Sequence, residues 1–227
     1  MTRVLVTGGA GILGAAVVRR LLRDPDYEVR VSDQRAAPGW IREGCEVHRG
    51  DLRVLGEARK AFAGCAHVIH LAAIVEGHDN PHTLTEVNNA LSNAVFRAAL
   101  DEDVARFAYV SSSTVYERAT AFPTPEEHAD ACPPPRSAYG FSKLTGEAYC
   151  RAAHAEHGLP YTICRPFNAY GPGAPRDAVI PSLLSRALAG DTPLAIYGSG
   201  EQTRAFTHLD DVADGIVSAM GYPAAAG

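Results

Sequence analysis

The chain is short of positive charge and almost without lysine. Its 21 Lys+Arg face 26 Asp+Glu for a formal charge of −5, and lysine stands only at Lys60 and Lys143. A protein whose main task is holding nucleic acid needs a basic surface, so that class is excluded, although a local anion pocket is not. The five cysteines (Cys45, Cys65, Cys132, Cys150, Cys164) are odd in number, widely spaced and without a Cys-x-x-Cys pair. This leaves neither a disulfide framework nor a zinc site and points to a reducing, cytoplasmic setting. No apolar run approaches the roughly 20 residues of a membrane helix, so no membrane partner is expected. A strand-like run starts at Arg3 and is expected to leave no room for a signal peptide. The nine histidines show no metal-ligand spacing, so no metal is expected; His67 and His70 flank an apolar run and read as core residues. There is no Gly-x-Ser-x-Gly turn, hence no Ser–His–acid triad to assign. No internal repeat or low-complexity tract appears beyond a short alanine-rich end at 224–227.

What is present is ordinary globular material, 227 residues with 46% hydrophobic and 21% charged. Short β-branched runs (4–7, 28–32, 46–49, 68–71, 107–111) alternate with longer amphipathic stretches at 12–23, 54–62 and 81–100. Runs such as Ala66-His67-Val68-Ile69-His70-Leu71 are continuously apolar rather than alternating, as strands covered on both faces are. An α/β doubly wound parallel sheet follows. Residues 117–137 are proline-rich and read as a long surface loop. A helix at 139–157 and a strand at 161–165 complete a first domain, 1–170. Residues 171–227 read as a smaller lobe, with a helix near 181–189, a strand at 194–197 and a helix near 211–220.

Three constellations carry chemistry. The first strand runs into Thr7-Gly8-Gly9-Ala10-Gly11-Ile12-Leu13-Gly14, whose glycines allow a tight turn and close approach to a pyrophosphate at a helix start. Asp33, 22 residues after Gly11, ends the second strand where an acid binds adenosine ribose hydroxyls. It would repel a 2′-phosphate, which favours NAD over NADP; Arg35, two residues on, is the one residue pulling the other way. Secondly, Tyr139 and Lys143 lie four apart on one helical face. With nine tyrosines and two lysines in the chain, roughly 0.08 such pairs are expected by chance. A lysine beside a tyrosine stabilises phenolate and suits the pair to acid–base work. Thirdly, Ser111, Ser112 and Ser113 end a predicted parallel strand at the edge where open α/β sheets bind ligands.

Together these residues resemble the extended short-chain dehydrogenase/reductases of the NAD-dependent nucleotide-sugar epimerase/dehydratase branch. The resemblance implies a Rossmann-type domain over 1–170, carrying the catalytic Ser/Tyr/Lys, and a substrate-binding lobe over 171–227. Gly8, Gly11, Ile12, Leu13 and Gly14 match the family's cofactor turn, Asp33 its ribose acid, Asp51 and Leu52 its adenine segment. Leu71, Ala72 and Ala73 match the strand end beside the cofactor, and Asn88 a helix asparagine. Tyr139 and Lys143 match the catalytic pair, and alignment on Val115-Tyr116 puts Ser112 at the catalytic Ser/Thr position with Ser113 beside it. The segments at 165–173 and 197–206 imply a nucleotide-diphosphate sugar as substrate, with Asn168 and Arg204 on its diphosphate. A homodimer through the helices near Asn88 and Tyr139 is a further implication.

The departures are informative. In the 4,6-dehydratases Asp-Glu fills the two positions occupied here by Ser113-Thr114, and in uronate decarboxylases Glu usually fills the second; both activities are disfavoured. Glu117 and Leu91 replace family glycines. Family members usually continue beyond Gly227, which suggests an incomplete or shortened substrate lobe. The activity implied is NAD-dependent epimerisation of a nucleotide sugar at C4, with a ketosugar reductase, or an NAD-binding regulatory protein without turnover, as alternatives.

Overall fold

A computed structural model describes residues 1–75 and 81–222; the alanine-rich end lies outside them. In chain order the elements are β1 (Thr2–Thr7), α1 (Ile12–Leu21), β2 (Tyr27–Ser32), α2 (Gly39–Gly44), β3 (Glu46–His48), α3 (Leu55–Phe62), β4 (His67–His70), α4 (Pro81–Asp101) and β5 (Arg106–Val110). After a 3-10 turn at Ser113–Tyr116 come α5 (His128–Ala131), α6 (Ala138–His157), β6 (Tyr161–Cys164), β7 (Ala169–Tyr170), α7 (Val179–Leu188), β8 (Thr207–His208) and α8 (Leu209–Gly221).

Strands β1 to β6 form one parallel sheet in the order β3-β2-β1-β4-β5-β6. The period of two along each strand divides the core between its faces. Leu5, Val68, Phe107 and Tyr109 point to the side covered by α3, α4 and α6. Val4, Val6, Ile69, Ala108 and Val110 point to the side covered by α1 and α8. The order reverses between β1 and β4, and a crevice opens there at the carboxyl ends of the strands.

Helix α6 begins at an N-cap, Ser137, whose Oγ accepts the Gly140 N–H at 3.2 Å, and ends at Gly158 in the left-handed region (φ 71°). Inside the 117–137 loop a single helical turn, α5, interrupts the irregular chain. The expected strand at 194–197 does not form: Leu194, Ile196 and Tyr197 are exposed, and the second sheet pairs β7 with β8 instead. An apolar alternation without a neighbouring edge to bond is not a strand. Helix α8 lies in the stretch read as a substrate lobe, yet its apolar stripe Leu209, Val212, Ala213, Ile216, Val217 and Met220 packs into the sheet core.

Candidate active site

The crevice is a cavity of about 620 Å³. Its floor is the turn after β1. Gly8 is left-handed (φ +71°), and a Cβ there would sit 2.9 Å from the backbone of Ala72. A Cβ on Gly14 would sit 2.2 Å from the Gly8 carbonyl oxygen. Only hydrogen fits at these points, and the hollow it leaves, together with the opening turn of α1, suits a pyrophosphate. Gly11, Ile12 and Leu13 line the same wall, with Leu71, Ala72 and Ala73 opposite. Asp51 and Leu52 close the adenosine end beside Asp33.

Asp33 is held by the backbone N–H groups of Ala10 (3.0 Å) and Arg35 (2.9 Å), and the Arg35 guanidinium pairs with both carboxylate oxygens. A second pair at the same two-residue spacing joins Arg53 to Asp51 and holds the Asp51 carboxyl below its usual range. The residues present therefore fit a dinucleotide: a glycine cradle, a helix start and a carboxylate at the ribose.

At the other end, Ser112, Tyr139 and Lys143 line the wall together. Lys143 is 4% exposed, donates from Nζ to the Val110 carbonyl at 2.8 Å and lies 5.8 Å from the Tyr139 ring centroid. Burial lowers its ammonium pKa to about 8, against the opposing pull of Glu147. Ser112 Oγ accepts the Thr114 N–H at 3.2 Å as it caps the 3-10 turn. The hydroxyl keeps its own proton and a second lone pair for a ligand.

The other expected site residues are placed differently. Asn88 is buried behind the wall: its amide bonds both backbone groups of Ile74 at 2.9 Å and donates to Ser142 Oγ at 3.1 Å. It shapes the β4 exit rather than facing the cavity. Ser113 lies outside the cavity wall, its N–H bonded to the Pro166 carbonyl. Asn168 lines a second cavity of about 360 Å³ with Tyr170, Asp177 and Phe206, and donates to the Ala205 carbonyl. Arg204 is exposed and lines neither cavity. Leu91 packs in the core and lines the main cavity. Sequence reading missed the ion pair beside the site between the buried Glu147 and the part-buried Arg165. The signal was the four-residue step Tyr139, Lys143, Glu147 continued along one face of α6.

A parallel sheet with a glycine cradle at its switch point and a Tyr/Lys/Ser wall defines a dinucleotide-dependent enzyme class of the α/β type. Residues 4–227 match the NAD dependent epimerase/dehydratase family, and the chain belongs to it. Like that family, it takes NAD as its cofactor. It is 30% identical over 228 residues to a GDP-mannose 3,5-epimerase of Oryza sativa subsp. japonica, covering 95% of this chain and 60% of that protein's length. Among solved structures, UDP-glucose 4-epimerase of Thermotoga maritima with UDP-glucose superposes with a TM-score of 0.85 at 28% identity, covering 96% of this chain and 73% of that one. A double mutant of a Streptomyces venezuelae dTDP-glucose 4,6-dehydratase with NAD bound gives 0.84 at 30% identity, covering 100% and 73%. Among the described residues no helix is long and apolar enough to cross a membrane, and no cluster could hold a metal ion.

Proposed function

We propose that this protein epimerises a nucleotide-diphosphate sugar at C4 through a 4-keto intermediate. The observation that carries the reading is the shared wall of Ser112, Tyr139 and Lys143, with Ser113 and Thr114 supplying no carboxyl group beside it. Elimination of water from a ketosugar needs an acid and a base beyond the tyrosine, and these two positions offer neither.

NAD, when bound, supplies the hydride acceptor and donor. Tyr139 takes the proton of the sugar 4-hydroxyl as phenolate, and Ser112 orients that hydroxyl by a hydrogen bond. Lys143 stabilises the phenolate with its nearby ammonium and holds the nicotinamide ribose. After the ketosugar has turned in the pocket, Tyr139 returns the proton. Asn168, on the second cavity, and Arg204 are assigned to the substrate diphosphate, an amide and a guanidinium being suited to it.

The test is incubation with UDP-, dTDP-, GDP- and CDP-sugars, with and without NADH or NADPH, followed by NMR of the products. Epimer formed without added reductant, and lost in Tyr139→Phe, is expected. Product formed only with stoichiometric reductant would replace the reading with a ketosugar reductase. NAD binding with neither outcome would favour a binding protein.

A further inference from the structure

Glu147 is fully buried, one helical turn beyond Lys143, and the established roles of a Ser/Tyr/Lys wall give it no task. Its carboxylate is nonetheless saturated. Arg165 grips it from β6's exit with two parallel bonds, Nε to Oε1 at 2.8 Å and Nη2 to Oε2 at 2.7 Å. Ser111 donates its hydroxyl to Oε1 at 2.6 Å. Arg151 adds a looser contact at 3.4 Å.

The strand on which these bonds fall gives them meaning. Val110 accepts from Lys143, and the next residue, Ser111, donates to Glu147. Two consecutive residues at the exit of β5 are thus tied to side chains one turn apart on α6. Ser112 comes next in the chain and Tyr139 lies one turn earlier on the helix, so this two-rung ladder sets the separation of the reacting hydroxyls. Arg165 extends the hold outward: it donates to Tyr116 Oη and to the Glu126 carbonyl at 2.9 Å, and its guanidinium lies 5.1 Å from the centroid of the Tyr116 ring.

We propose that Glu147 is the positioning residue of the Lys143–Tyr139 pair, fixing the β5 exit through Ser111 and supplying the negative charge that keeps the buried ammonium in place. The inference rests on the reading of Lys143 and Tyr139 as the reacting pair. The groups facing Lys143 are Tyr139 and Glu147 on its own helix, Tyr109 on β5 with its ring centroid 5.2 Å away, and His70 on β4. Of these, Glu147 is the carboxylate. Replacing it by an amide leaves the buried Lys143 and the part-buried Arg165 without that counter-charge, so the ammonium gives up its proton at lower pH.

The chain makes this directly measurable because it has only two lysines. Protein labelled with ¹³Cε-lysine gives one signal from Lys143 and one from the exposed Lys60, an internal control. In the wild type Lys143 is expected to titrate near pH 8. In Glu147→Gln the Lys143 midpoint is expected to fall by roughly one pH unit while that of Lys60 stays. The double variant Glu147→Gln/Arg165→Met leaves no unpaired charge at the pair and is expected to shift Lys143 in the same direction by less. An unmoved Lys143 midpoint in either folded variant would overturn the proposal. The readout uses no sugar nucleotide, so failure of the epimerase reading is seen separately. On an active substrate, Glu147→Gln is expected to lower kcat roughly tenfold with a smaller change in KM, and to move the alkaline limb of the profile downward.

Discussion

Thr7 donates a hydroxyl hydrogen bond to His70. The Thr7 Oγ1 lies 2.7 Å from His70 Nδ1 and accepts the backbone N–H groups of both Leu71 and Ala72 at 3.2 Å. Two donors fill the lone pairs of the hydroxyl, so its single proton is directed at Nδ1, and the ring carries its own proton on Nε2. One buried threonine at the end of β1 thereby fixes the exit of β4, whose Ala72 backbone is in close approach to Gly8.

This neutral tautomer has a consequence in acid. Burial, with the charge of Lys143 second, lowers the His70 pKa from 6.5 to about 3. The unfolded chain binds a proton at His70 below about pH 6.5 and the folded chain does not until about pH 3. Stability is therefore lost as pH falls through that window, by about 1.4 kcal/mol per pH unit from this group alone. Urea unfolding at pH 7 and pH 5 is expected to show wild type losing roughly 2 kcal/mol more than His70→Asn, which keeps an acceptor but does not titrate. Equal losses would mean that His70 charges inside the fold.

The glycines separate into those with a function and those without. Gly14→Ala drives its methyl into the Gly8 carbonyl at 2.2 Å, within the turn proposed to cradle the pyrophosphate. It is expected to weaken NAD binding by at least roughly 100-fold in calorimetry and to destabilise the fold by about 1–3 kcal/mol. Gly215, exposed within α8, has nothing within 4 Å of an added Cβ. Gly215→Ala is expected to stabilise by about 0.5–1 kcal/mol with NAD affinity unchanged. A shared fate for the two variants would refute the distinction.

Much of this fold was legible because its signals are local. A parallel strand covered on both faces is an unbroken apolar run, the cofactor turn is a contiguous motif, and Tyr139 and Lys143 share one helix. What escaped depends on distant partners. Leu194, Ala195, Ile196 and Tyr197 look like a strand but find no edge to pair with. Asn88 is matched by resemblance to a cofactor site, yet its amide is occupied by Ile74. Glu117, where the resemblance implies glycine, is inexplicable locally; in the fold its carboxylate accepts the Ser137 N–H at 3.0 Å and hydroxyl at 2.6 Å, tying the 3-10 turn to the N-cap of α6. Glu147 and Arg165 meet only because β6 returns beside β5.

The choice between NAD and NADP turns on Asp33 and Arg35. The Asp33 side chain is 8% exposed and its negative charge stands at the mouth of the adenosine end, where a 2′-phosphate would meet repulsion. Arg35 is 66% exposed, contacts both carboxylate oxygens at 3.1–3.2 Å and lines the same cavity. Its guanidinium both offsets the Asp33 charge and offers donors to a phosphate, so it narrows a preference that Asp33 alone would make steep. Removing the guanidinium leaves the backbone N–H groups of Ala10 and of residue 35 to hold the carboxylate, which is then open to the two ribose hydroxyls. Arg35→Ala is therefore expected to weaken NADP binding roughly tenfold while NAD binds as well as before or better, and Asp33→Asn to narrow the gap by a similar factor. Dissociation constants for both cofactors, measured by fluorescence at low ionic strength and again in added salt, check this; the screened contribution of so exposed a guanidinium should shrink in salt. An NAD-to-NADP ratio unchanged in Arg35→Ala would make Arg35 a solvated charge and leave the discrimination to Asp33.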